Sequence, residues 1–174
     1  LSRVYLVGAA RRSVVVKHVQ VPSQLTHPRG FANQISNHRK MKSYAVERNW
    51  YQNQNGMTHE HCRTPKCLAS FDVNGEPVIL LEDLCTQGFT SMPNTLIDEE
   101  VRVVLRWLAH FHAQFADDAG EGLWSQGCYW HLATRPDELE RIQGSRIHRY
   151  AAFIDARLRR CRFSTLVHGD AKLA

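Results

Sequence analysis

Asn74-Gly75 stands between two apolar runs, Cys67 to Val73 and Pro77 to Leu81. An Asn-Gly pair adopts the positive-φ backbone of a tight two-residue turn at little cost, so this stretch specifies an antiparallel hairpin. Two further β-rich runs, Val4 to Val7 and Ser13 to Val19, flank Gly8-Ala9-Ala10-Arg11-Arg12 and predict a second hairpin with a longer loop. Pro22 to Gly30 reads as loop, and a helix is predicted from about Asn33 to Asn53. Met41, Tyr44 and Tyr51 fall in one arc of that helix, with Glu47 at the edge of the arc. An acidic group there is unusual, because solvated carboxylates ordinarily lie opposite the core.

After Gly88 and Pro93 the pattern turns helical. Thr95 is the expected cap, with Asp98 as its capping-box partner. Ile97, Val101, Val104, Leu105, Leu108, Phe111 and Phe115 then keep a helical period. Pro136 opens another helix. A further one carries Ile147, Tyr150, Ala151, Ile154, Leu158 and Cys161 on one face, and Thr165-Leu166-Val167 reads as a short buried strand. Strands, helix, strands, linker and then mostly helix make an α+β protein.

With 174 residues the chain allows one domain, or one and a piece of another. The net charge of +5 has its local excess at Arg157, Arg159, Arg160 and Arg162. No basic-aromatic repeat accompanies it, so a solvated helix face is expected and no nucleic-acid partner. No apolar run is long enough for a membrane span, and no signal peptide is visible. Five irregularly spaced cysteines fit a reduced, cytoplasmic setting better than a disulfide framework. The absence of a Gly-x-Ser-x-Gly elbow argues against an α/β-hydrolase.

Four features carry candidate chemistry. Lys17 lies within Val14-Val15-Val16-Lys17, where a strand ammonium needs an anionic partner to offset desolvation. Glu47, on the core side of the next helix, supplies one. Leu81, Glu82 and Leu84 end an apolar strand in a polar turn. His168-Gly169-Asp170 follows the Thr165 to Val167 run, placing a carboxylate just past a strand. The motif His59-x-His61-Cys62-x4-Cys67 offers four soft ligands for zinc but lacks paired Cys-x2-Cys spacing, so a structural role is expected. His110 and His112, two apart on a helix, cannot share one face. Trp107, Trp124, Trp130 and Tyr129 are read as packing residues, and Cys128 and Cys161 as small apolar ones.

Taken in chain order, Ser43-Tyr44-Ala45-Val46-Glu47, Leu80-Leu81-Glu82-Asp83-Leu84 and His168-Gly169-Asp170 resemble the ecdysteroid-kinase-like (choline-kinase-like) branch of the aminoglycoside phosphotransferase superfamily. The resemblance implies a protein-kinase-like bilobal fold, with residues 1–84 as the nucleotide-binding lobe and 85–174 as part of a helical lobe. It implies ATP- and Mg2+-dependent phosphorylation of a hydroxyl on a small molecule. Lys17 and Glu47 would anchor phosphates, and Leu81 with backbone groups near Glu82 and Leu84 would hold adenine. Asp170 would receive the hydroxyl proton, and His168 would brace the loop. By the same comparison the fold is truncated at both ends. A first strand would precede Leu1 and the magnesium ligands would follow Ala174, so a fragment with little or no kinase activity is expected. A non-catalytic binding protein on the same fold, and less so a zinc-stabilised module, are the rival readings.

Overall fold

The computed structural model describes residues 1–20, 34–90, 93–127 and 131–171. The predicted loop from Pro22 to Gly30, and Cys128, Tyr129 and Trp130, lie outside them. Strands β1 (Ser2–Tyr5), β2 (Ser13–His18), β3 (Cys67–Val73) and β4 (Glu76–Glu82) form one antiparallel sheet in the order β1-β2-β4-β3. The β3–β4 turn has Asn74 at φ 52° and Gly75 at φ 81°, the doubly positive pair that Asn-Gly favours. The first strand starts earlier than the sequence pattern predicts and ends at Tyr5; Val7 is fully exposed.

Helix α1 (Gln34–Asn53) crosses from the sheet to the remainder of the chain. It has no single apolar stripe, for a physical reason. One side meets the sheet, where Arg48 forms a two-pronged contact with Asp72 at 2.9 and 2.8 Å and Met41 and Tyr44 sit beside Val19 and Pro77. The other side meets the helical part, where Asn49 donates to the Gly122 carbonyl at 2.9 Å and Arg39 to that of Thr134 at 2.7 Å. Of the expected arc, Met41 and Tyr44 lie beside Val19 and Pro77, and Tyr51, two turns on from Tyr44, lies near Glu47 and Cys67.

Helices α2 (Asp98–Gln114), α3 (Pro136–Arg141) and α4 (Arg146–Arg159) follow. Helix α2 begins later than a Thr95 cap requires. Glu100 reaches back to accept the Ile97 N–H at 3.0 Å, and three acidic residues in the first turn suit the positive end of the helix dipole. Pro136 occupies the first turn of α3 as expected. Phe111 of α2 and Phe115, just past its end, pack with Cys62 as a buried cluster, flanked by Trp50, Trp107 and Leu166. Burying one such phenyl ring contributes about 2 kcal/mol.

Two expectations fail here. Thr165-Leu166-Val167 makes a single bridge, Ala116 to Thr165, in place of a buried strand, and Val167 is exposed. A segment met on one side by a helix end has no ladder to join. Cys161 is exposed past the end of α4, whose face from Ile147 to Leu158 is also exposed. Among the described residues no helix is long and apolar enough to cross a membrane.

Candidate functional site

Helix α1 sets the geometry of the site. Ser43, Val46, Glu47, Trp50 and Tyr51 recur at helical spacing and line one wall of a cavity of about 880 Å3. Glu47 lies where the two contact surfaces of the helix meet, so it faces the sheet and the cavity together. Its carboxylate receives the Lys17 ammonium at 2.6 and 2.5 Å. Both side chains are half-buried.

The β2–β4 register places Leu81 directly opposite Val15, and Ile79 opposite Lys17. Side chains alternate along a strand and match across it, so Val15, Lys17, Ile79 and Leu81 share one face. Leu81, Glu82 and Leu84 do not line the cavity itself.

Part of the backbone at the strand end is already engaged. The Glu82 N–H already donates to the Lys66 carbonyl at 2.9 Å, and the Leu84 carbonyl accepts from Phe89 at 3.1 Å. The Glu82 carboxylate is buried and accepts Arg63 Nη2 at 3.0 Å on each oxygen. Asp83, which sequence reasoning passed over, is the most connected acid of the region. It accepts Ser13 Oγ at 2.7 Å, Arg3 Nε at 2.7 Å and the Cys85 N–H at 3.1 Å. These contacts, the Ser13 hydroxyl foremost, hold its pKa below the ordinary carboxylate value.

The far wall of the cavity includes Ser164 to Asp170. Thr165 Oγ1 donates to the His112 carbonyl at 2.7 Å, and the Asp117 N–H donates to the Ser164 carbonyl at 3.1 Å, fixing this segment to the end of α2. Gly120 adds a close approach: a Cβ there would meet Leu166 Cδ2 at 2.9 Å, and its φ of +61° suits glycine. His168 stands edge-on to Trp107, ring centroids 5.9 Å apart, and its Nδ1 accepts the Asp170 N–H at 3.3 Å. Glu47, His168 and Asp170 thus line one cavity, with Lys17 bonded to Glu47 at its edge.

Aromatic side chains missed as site residues also line it. Trp50, Tyr51, Trp107 and Trp124 are the largest. Burial, reinforced by the Glu47 charge, pushes the Tyr51 phenol up to about 12. Burial also raises the Cys67 thiol. The proposed zinc motif does not assemble: Cys62 is fully buried in the Phe111–Phe115 cluster and Cys67 begins β3.

A four-stranded antiparallel sheet, a helix that carries a carboxylate to a strand lysine, and a helical part ending near His-Gly-Asp define a kinase-like α+β protein. The chain belongs to the ecdysteroid kinase-like family, whose family model matches residues 28–116. Neither a curated protein nor a solved structure matches it.

Proposed function

We propose that this chain carries the nucleotide side and the acceptor-activating carboxylate of an ATP-dependent phosphotransferase that acts on a small-molecule hydroxyl. The observation that carries the reading is the Lys17–Glu47 pair at 2.5 Å, with Glu47 and Asp170 on the walls of one cavity. In this reading residues 1–84 form the nucleotide lobe and residues 85–174 belong to a helical lobe.

Phosphoryl transfer asks a protein mainly to position groups and to stabilise charge. Lys17, held by Glu47, presents a fixed ammonium to the α- and β-phosphates. Val15 and Leu81, on the same sheet face, cover the adenine ring, while the Leu84 N–H, first in its turn and without an acceptor inside it, addresses the base edge. The acceptor hydroxyl oxygen attacks the γ-phosphorus, the bond from phosphorus to the ADP oxygen breaks, and the hydroxyl proton passes to the Asp170 carboxylate. His168 steadies the Asp170 backbone. Magnesium, when bound, neutralises phosphate charge. As the side chains stand, no group of three or more His, Cys, Asp or Glu among the described residues is set to hold a metal ion; magnesium at a nucleotide ordinarily takes only one or two carboxylates beside the phosphates.

The test is ATP binding to the full chain, read by fluorescence of the cavity tryptophans. Lys17→Met is expected to weaken ATP about tenfold or more, which is ~1.4 kcal/mol. Asp170→Asn is expected to leave ATP affinity unchanged and to remove any phosphate transfer to hydroxylated compounds. Equal affinity in the Lys17→Met variant would overturn the assignment.

A further inference from the structure

The turn after α1 brings histidines from two distant parts of the chain together. His59 precedes the short turn Glu60–Cys62, and His61 lies within it. Cys62 is buried against Phe111 and Phe115, and Trp107 Nε1 donates to the Arg63 carbonyl at 2.9 Å, so the turn has a fixed position on α2. His110, on α2, meets it there. The ring centroids are 5.7 Å apart for His59 and His61, 4.9 Å for His61 and His110, and 6.2 Å for His59 and His110. None of the three lines the cavity described above.

Three imidazoles bound to one tetrahedral ion at ~2.0–2.1 Å per nitrogen have ring centroids about 5 Å apart. The three rings already stand near that spacing. What differs is ring orientation. His61 and His110 lie stacked at 26°, and as posed the described residues hold no ready metal cluster. His59 and His61 are exposed, so their rings can turn without repacking the core. Turning His59 to ligate through Nε2 gives up only the long 3.3 Å bond from the His61 N–H to its Nδ1. Glu60 Oε1, 3.6 Å from His61 Nε2, sets a carboxylate beside the group and favours a cation there.

We propose that His59, His61 and His110 form a surface site for a borderline divalent ion of the zinc class, closed by water or Glu60. The ion would staple the turn that follows α1 to α2. It would thereby fix the helix bearing Glu47 against the helical part of the chain. This ligand set differs from the sequence motif, because both cysteines of that motif are committed elsewhere.

The experiment is calorimetric titration of the full chain with Zn2+, with cobalt spectra as a second readout. One ion per chain is expected, with binding at least tenfold weaker in His61→Ala and in His110→Ala and unchanged in His112→Ala. Far-UV circular dichroism checks that each variant is folded. The cobalt complex should show nitrogen and oxygen coordination without thiolate charge transfer. Two results overturn the site: zinc affinity unaffected by loss of His61 and His110, or a thiolate band showing that cysteines hold the metal. The cobalt spectrum of the unaltered chain decides the matter even if a variant unfolds.

Discussion

Glu82→Gln tests how the end of β4 is held. Glu82 is 7% exposed, and its two oxygens each take Arg63 Nη2 at 3.0 Å, while the Lys66 N–H approaches one of them at 3.4 Å. The substitution keeps the shape and one acceptor but deletes the charge. Arg63 then loses the charge partner recorded for it, and its Nε is already buried without a hydrogen-bond partner. Breaking one side of a fully buried pair costs about 3–5 kcal/mol. An exposed pair is worth about 0.2–1 kcal/mol. Arg63 is 31% exposed, so water can recover part of its solvation, and the expected loss lies between the two, at about 2 kcal/mol. For a chain of this length that lowers the midpoint of thermal unfolding by about 4–8 °C. Urea denaturation followed by circular dichroism measures it. Adding Arg63→Met removes the stranded charge and should recover part of the loss, because the two sites couple. A Glu82→Gln variant within about 0.5 kcal/mol of the parent, or strictly additive losses in the double variant, would refute the reasoning.

Phe115→Ala should be the more damaging core change. Phe115 is 1% exposed with its ring 4.8 Å from that of Phe111, and the cavity left behind predicts a loss of about 3–5 kcal/mol in the same denaturation assay. Tyr51 predicts an alkaline effect. Its phenol is pushed up to about 12 from an ordinary 10.0, so between those values the unfolded chain has released this proton while the folded chain still holds it. The unfolded state then binds fewer protons, and stability falls as pH rises through that window. Tyr51→Phe should remove that part of the slope, and ultraviolet titration of the parent should show one phenol ionising last.

The hairpins were legible because their signals are local. Asn74-Gly75 dictates a turn from two residues, and the β-branched runs need no knowledge of what covers them. Helix α1 was legible as an element but not in its orientation. Packing on two sides erases the single stripe on which a periodicity argument depends, and only Glu47 marked the border between them. The side-chain contacts at the end of β4 were illegible for a related reason. Sequence shows Glu82 and Asp83 as a polar turn, but the Arg63 and Ser13 that engage them are 19 and 70 positions away. The Thr165 to Val167 run looked like a strand because apolar β-branched residues look alike whether or not a ladder exists to receive them. The histidine group at 59, 61 and 110 was out of reach, since no spacing rule joins a turn to a helix half a hundred residues later.

The Lys17–Glu47 pair is where stability and the proposed function can be separated. With side chains 24% and 32% exposed, the pair sits in water-accessible surroundings and is worth no more than about 1 kcal/mol to folding. A lysine within a strand costs desolvation and side-chain freedom that this contact does little more than offset. The pair therefore makes poor sense as a structural clasp and good sense as a cation held ready for an anionic ligand. If so, Lys17→Met leaves the urea midpoint nearly unchanged while ATP affinity falls. A variant that loses stability and affinity in proportion would make the pair a clasp after all.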